Sequence, residues 1–215
     1  MIVVVAGGAV EHGVVLQEVT PSRVSGAVVW SRPASGEPRL AVHVLQAIPA
    51  QSMDATIEAL TVAGAASIRP VLTGRTVVRP DPSRGSRRAE RWQAIAREAA
   101  QLAGRAAPPT VSPVTSLREA LEQRPATARV LACVIRPEAT ALLAAARTLS
   151  AEVTLVIGPE GGLDDADLEA LSGAGAAYVH LGPRTLPSRL AGAVATALLL
   201  AGSGDLDSTA EPLPQ

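Results

Sequence analysis

The chain has 215 residues, enough to bury a sizeable core as one domain or as two unequal ones. It is 47% hydrophobic and 18% charged, which is the range of a globular protein, and aromatics at 1% argue against nucleic-acid binding through stacked rings. The net charge of -1 conceals an asymmetry: nine arginines between Arg69 and Arg105 face only Asp81, Glu90 and Glu98, and seven acids between Glu138 and Glu169 face only Arg147.

The opening "MIVVVAGG" lacks the basic start and apolar core of a signal peptide, so a cytoplasmic protein is expected. Residues 2 to 46 predict short strands, "IVVVAGG", "HGVVLQEVT", "VSGAVVW" and "RLAVHVLQAI", separated by turn signals. This stretch reads as a small β-unit over residues 1–46. His12 and His43 fall within it without partners at metal-ligand spacing, so both read as structural or surface residues and no metal site is expected.

From residue 47 to 202 helices and strands alternate. "SMDATIEALTVAGA" opens with a Ser-x-Asp cap signal, carries Met53, Ile57 and Leu60 on one face, and ends at Gly64. "SIRPVL" is a strand, and "RTVVRPDPSRGS" a basic loop. In the helix "RRAERWQAIAREAAQLAG" the residues Trp92, Ile95, Ala99 and Leu102 share a face. The helix "SLREALEQR", the strand "ARVLACVI", a helix through "EATALLAAARTL" and the strand "EVTLVIG" follow. The helix "DDADLEALSGAG", the strand "AYVHLG" and the helix "SRLAGAVATALLLAG" complete the series; the last is too short and too Gly-rich to span a membrane. Such alternation predicts an α/β fold, a mainly parallel sheet with helices on both faces. The lone Cys133 excludes an intramolecular disulfide and a cysteine-based zinc site, and reads as a small buried side chain. Residues 203–215 are polar, acidic and Pro-containing, and read as a disordered tail.

Ligands of an open parallel sheet bind beyond the carboxyl ends of its strands. Two such ends carry Gly-Pro loops, "IGPEGG" (157–162) and "LGPRTLP" (181–187), which offer backbone polar groups and few side chains. Neither matches Gly-x-Gly-x-x-Gly, there is no P-loop, and the chain has no lysine. Asp164, Asp165 and Asp167 at the following helix start would repel phosphate. The loops therefore suit a nucleoside without phosphates; a plain tight turn is the competing reading.

The run "LVIGPEGGLDDADLEAL…GAAYVHLGPRTL", with "GAASIRPVLTGRTVVRP" and "ERWQAIAREAAQLAGRAAPPTVSP" upstream, resembles the 16S ribosomal RNA uridine N(3)-methyltransferase family of the SPOUT, or trefoil-knot, superfamily. The resemblance covers about residues 45 to 200. It implies a knotted parallel sheet, a homodimer through the knot, and S-adenosylmethionine held by the two loops. It assigns Ile157, Gly158, Glu160, Gly161 and Gly162 of the first loop and Leu181, Gly182 and Leu186 of the second to the cofactor. The N-terminal β-unit would be a shortened form of the family's RNA-binding, PUA-like barrel. Small-subunit ribosomal RNA is the implied partner, with Arg75, Arg79, Arg84, Arg87, Arg88 and Arg105 as candidate phosphate contacts.

Two departures matter. The family's second loop runs on as Leu-Arg-Thr-Glu/Ser-Thr-Ala, whereas this chain has "LPSRLAG", with Pro187 at the arginine position. Arg184 and Arg189 are the candidates to supply the missing cation for catalysis. The segment "AQSMDATIEALTVAGA" also lacks the basic groups found in relatives. Glu160 reads as a loop-structuring carboxylate, and His180 as a satisfied strand-end histidine, with a base as the alternative for each. The expected function is S-adenosylmethionine-dependent methylation of a ribosomal RNA uridine at N(3). The alternatives are a paralogue with a small-molecule or peptide acceptor, and a non-catalytic cofactor-binding homologue.

Overall fold

The computed structural model describes residues 2–6, 10–34, 36–79, 85–149 and 151–207. Strands β1 (Ile2–Ala6), β2 (Val10–Val19) and β3 (Val24–Pro33) form an antiparallel sheet in that order. The second sheet holds β4 (Ala41–Ala47), β5 (Ser67–Leu72), β6 (Thr110–Val111), β7 (Thr115–Ser116), β8 (Arg129–Cys133), β9 (Thr140–Ala141), β10 (Glu152–Ile157) and β11 (Ala177–His180). Its order is β6-β5-β4-β10-β8-β11-β9, with β7 also on β5, and every pairing is parallel. The expected parallel α/β sheet is therefore present.

β4 departs from its predicted grouping with the first strands. It lies between β5 and β10, near the centre of the parallel sheet. The reason is its double-sided apolar character: Val42, Val44, Leu45 and Ala47 are all buried, as parallel strands covered on both faces require. β2 and β3, by contrast, leave Val15, Val19, Val24, Val28 and Val29 exposed.

The helices divide between the two faces. On one side, α1 (Met53–Val62), α2 (Gly85–Leu102), α4 (Leu142–Ala146) and α6 (Ser188–Gly202) pack with Val42, Val44, Leu131, Leu155 and Ile157. On the other, α3 (Leu117–Glu122) and α5 (Asp165–Gly173) pack with Leu45, Ala47, Val130 and Val156. Alternation along β4 thus turns Gln46, which has the parity of Val42 and Val44, toward α6.

Several local expectations are corrected. Ser52 does not cap α1 with its side chain; it sits at φ 55°, and its carbonyl accepts from the Thr56 hydroxyl at 3.1 Å. The buried face of α2 is Trp92, Ala96, Ala99 and Ala100, and Leu102 is 82% exposed. Small alanines let α2 lie close to α1, where Trp92 Nε1 donates to Asp54 Oδ1 at 3.0 Å and Arg91 pairs with the same carboxylate. α4 is a single short helix beginning at Leu142, because Thr140 and Ala141 pair with β11. After α6 the chain turns through a 3-10 segment, Asp205–Asp207, and Asp205 accepts from the Arg39 amide at 2.9 Å; residues 208–215 lie outside the described residues.

Arg105, one of the candidate RNA contacts, is a structural clamp. Its side chain is buried; Nη1 donates to the carbonyls of Thr61 (2.9 Å) and Ala65 (2.8 Å), and Nε and Nη2 grip Glu37 at 3.3 and 2.7 Å. A guanidinium spent on the end of α1 and on a carboxylate has nothing left for phosphate.

A second clasp fixes the loop after β5 onto α5. Asp164 caps α5 by accepting from the Asp167 amide at 2.9 Å, and Asp167 Oδ2 accepts from the Asp164 amide at 3.2 Å, a reciprocal capping box. The same Oδ2 accepts from the Gly74 amide at 3.1 Å. Burial raises the Asp167 carboxyl above its usual value, the Asp164 charge adds to this, and the two amide bonds oppose it. Gly74 admits no side chain: a Cβ there would lie 1.6 Å from Asp164 Oδ2.

Two stability outcomes follow. Arg105→Met should lower unfolding free energy by about 3 kcal/mol, since it leaves Glu37 and two carbonyls without their donor, read as a lowered midpoint in denaturant unfolding. Gly74→Ala should cost about 1–3 kcal/mol through the forced separation of the loop from α5, read as a lowered melting temperature.

Candidate ligand pocket at the sheet's carboxyl edge

β10, β8 and β11 are neighbours, and their carboxyl ends open into one cavity of about 650 Å³. That is within the range of small-molecule sites. The first wall is Ile157, Gly158, Pro159, Glu160, Gly162 and Leu163 after β10. The second is Leu181, Gly182, Pro183, Arg184, Thr185 and Leu186 after β11. The two Gly-Pro loops singled out in the sequence are therefore brought together. Gly161 does not border the cavity; its carbonyl accepts from Arg75 Nη1 at 2.9 Å.

Each loop has a local cause. In the first, the Gly162 amide donates to the Pro159 carbonyl at 2.9 Å, closing a turn that holds Gly162 at φ +74°. In the second, Gly182 takes φ +95°, and its amide donates to His180 Nδ1 at 3.1 Å. Both are left-handed positions where a Cβ is disfavoured. The His180 contact commits Nδ1 as an acceptor, in keeping with a satisfied strand-end histidine. Glu160 likewise accepts, through Oε2, from the Ala50 amide at 3.1 Å, so it ties the first loop to the segment before α1.

A third wall was missed by sequence reasoning. Cys133, Val134, Ile135, Arg136 and Pro137, at the end of β8, complete the cavity. This strand end carries no glycine, which hid it, although the rule that ligands sit beyond the carboxyl ends of parallel strands applies to it equally. Burial pushes the Cys133 thiol up to about 12, so it stays protonated at neutral pH.

The cavity is mainly apolar, with Ile157, Val179, Leu181, Leu186 and Ala191 among its lining. Arg75, Arg136 and Arg184 reach it from three different loops. Arg75 is spent in part on Gly161, and Arg136 pairs with Glu138 at 3.2 Å. Arg184 is exposed and makes no hydrogen bond or ion pair with the described residues. Arg189 is exposed on the first turn of α6 and does not line the cavity. Of the remaining arginines, Arg79 and Arg87 are exposed, Arg88 lies 6.0 Å from the Trp92 ring centroid, and Arg84 lies outside the described residues.

The chemistry admitted here is that of a nucleoside-like ligand. The N-terminus of α5, a backbone site that would otherwise attract phosphate, is already occupied by Asp164 and Asp167. Among the described residues no cluster of three metal-ligating side chains occurs, and no helix is long and apolar enough to cross a membrane.

Comparison with known proteins agrees with this geometry. The sequence profile of the RNA methyltransferase domain matches residues 36–200. Ribosomal RNA small subunit methyltransferase E of Mycobacterium bovis is 37% identical over 172 residues, covering 77% of this chain and 64% of that protein. The protein of the same name from Bacillus subtilis is 29% identical over 186 residues, covering 82% and 72%. The match thus spans less than two thirds of the length of the mycobacterial protein. Among solved structures, the ribosomal RNA small subunit methyltransferase E of Neisseria gonorrhoeae, bound to S-adenosyl methionine, is similar with a TM-score of 0.81 at 27% identity. That similarity covers 95% of this chain and 82% of the other. With a profile match over most of its length, and with the paired Gly-Pro loops at the carboxyl edge of a parallel sheet, this chain belongs to the RNA methyltransferase domain family.

Proposed function

We propose that this chain transfers a methyl group from S-adenosylmethionine to N(3) of a uridine in small-subunit ribosomal RNA. The observation that carries the reading is the apolar cavity walled by the two Gly-Pro loops, in a family whose relatives methylate ribosomal RNA. Ile157, Gly158, Glu160 and Gly162 would hold the donor from one side and Leu181, Gly182 and Leu186 from the other. Gly161 would act indirectly, through Arg75. By the same resemblance, the C-terminal part of the parallel sheet is knotted, and the loops of the knot hold the donor. The active species is a homodimer through that knot, working in the cytoplasm with the ribosomal RNA.

When bound, S-adenosylmethionine supplies a methyl group on a cationic sulfonium sulfur. Little acid–base help is needed beyond an unprotonated nucleophile, so alignment in a dry cavity supplies much of the rate. The uridine imide must lose its N(3) proton, and a cation beside the ring stabilises the anion. Pro187 cannot serve. Arg184, at the cavity and making no hydrogen bond or ion pair among the described residues, is the better placed of the two candidates, and Arg189 is the second. Arg79, Arg87 and Arg88 are the remaining phosphate contacts among the described residues of the basic segment, with Arg84 a further candidate outside them. In the N-terminal sheet region Arg32 is held by Glu11, while Arg23, exposed and only 3.8 Å from Glu18, stays accessible, so that region can add to phosphate binding.

The reading is tested by calorimetric titration with S-adenosylmethionine and S-adenosylhomocysteine, followed by methyl transfer to small ribosomal subunits lacking the modification. Micromolar cofactor binding and incorporation at a uridine N(3) are expected; cofactor binding with incorporation into no RNA would favour another acceptor, for which Pro187 is the motive. Arg184→Ala should lower kcat roughly 10- to 100-fold with cofactor affinity retained, and Arg189→Ala should have the smaller effect. Each of Arg79→Ala, Arg87→Ala and Arg88→Ala should reduce the salt dependence of RNA binding by close to one released counterion, while Arg105→Met should leave it unchanged.

A further inference from the structure

Behind the first Gly-Pro loop lies a chain of hydrogen bonds that the donor pocket does not explain by itself. Gln46 on β4 is completely buried. Its Nε2 donates to its neighbour's carbonyl, Ala47 O, at 2.9 Å and to Ser188 Oγ at 3.1 Å. Ser188, at the start of α6 and also buried, donates its hydroxyl proton to the Gly158 carbonyl at 2.7 Å. A serine hydroxyl has one proton, so acceptance from the Gln46 amide leaves that proton for Gly158 alone. The direction of the chain is therefore fixed from the sheet, through the helix start, to the loop.

Two further facts show that Gln46 is held for this purpose. Its Oε1 is buried and finds no hydrogen-bond partner among the described residues. An orphaned buried carbonyl is unfavourable, and an apolar side chain of the same shape would avoid it. The amide is also pinned from behind by the close approach of α6, since a Cβ on Gly192 would lie 2.5 Å from that Oε1. A residue that is a poor choice for stability alone, locked in one orientation, points to a positional role.

We propose that Gln46 and Ser188 form a positioning relay that sets the Gly158–Pro159 peptide plane, and through it the shape of the first wall of the methyl-donor pocket. This rests on the donor-site reading given above. Gly158 precedes a proline, which has no amide hydrogen, so the turn that follows is anchored on one side by the Gly158 carbonyl and closed by the Gly162 amide on Pro159. With the relay intact, the loop reaches its binding shape before ligand arrives, and the ordering cost is removed from the binding step. Ser188 and Gln46 are positioning residues; only Ser188 borders the cavity.

The test uses the full chain, with Ser188→Ala, Ser188→Thr and Gln46→Met. Gln46→Met removes the donors and the orphaned oxygen together, so a purely structural glutamine predicts a shifted melting temperature with no effect on cofactor binding or on exchange at Gly162. The relay predicts that Ser188→Ala and Gln46→Met each weaken S-adenosylhomocysteine binding roughly tenfold, the weight of one neutral hydrogen bond. It also predicts that both speed hydrogen exchange of the Gly162 amide about tenfold in the ligand-free protein, while amides within β10 keep their protection. Ser188→Thr, which retains the hydroxyl, should restore both values. Parent-level exchange at Gly162 in Ser188→Ala and Gln46→Met would overturn the relay. Failure of the parent to bind cofactor would remove the donor-site reading alone, because the exchange rates still decide whether the relay holds the loop.

Discussion

The structure depends on burying β10 from both sides in a sheet whose pairings all run parallel. Val153, Thr154, Leu155 and Val156 are fully buried, and β4 and β8 take up the backbone groups on either side. A strand so placed can release its chain only at the carboxyl end, where the next residue must leave the sheet among helices. Gly158 and Pro159 make that exit: one needs no room, the other fixes the turn. Because β8 and β11 end at the same edge, three exits converge, and a cavity is the geometric result.

Most of this was legible in the sequence because double-sided burial leaves an unmistakable signature. The runs "TLVI" and "VLAC" are apolar without alternation, and the Gly-Pro pairs after two strands mark where the backbone must turn sharply. The parts that were not legible have definite reasons. β4 follows three strands with similar apolar content, and nothing local separates a strand that leaves valines in solvent from one that buries them. The Cys133–Pro137 wall carries no glycine, so it lacked the mark by which the other two were found. Ser52 had the right chemistry for a cap, yet it sits in a left-handed backbone conformation and its side chain makes no cap hydrogen bond.

Arginine shows most plainly how identity and role come apart. With no lysine in the chain, every basic group has the same planar head, and sequence could only collect them by proximity. The fold then distributes them. Arg105 is buried as a clamp on α1, Arg75 braces the Gly161 carbonyl, Arg91 fastens α2 to Asp54, and Arg184 is left at the cavity without a partner among the described residues. What separates these roles is the carbonyls and carboxylates within reach of each guanidinium, which is information held by tertiary contacts.

The capping box of α5 has a consequence for ligand selection. Adenosine is common to S-adenosylmethionine and to the adenine nucleotides, so an apolar adenosine pocket alone cannot tell them apart. Here the helix dipole beside the first loop is already satisfied by Asp164 and Asp167, with Gly74 tied into the same carboxylates. A phosphate at the first loop therefore finds the α5 dipole already taken, and an anion in the cavity would have to be held by Arg75, Arg136 or Arg184 instead. The same two aspartates that start a helix therefore close one anion site, and leave charge selection in the cavity to its arginines and Glu160.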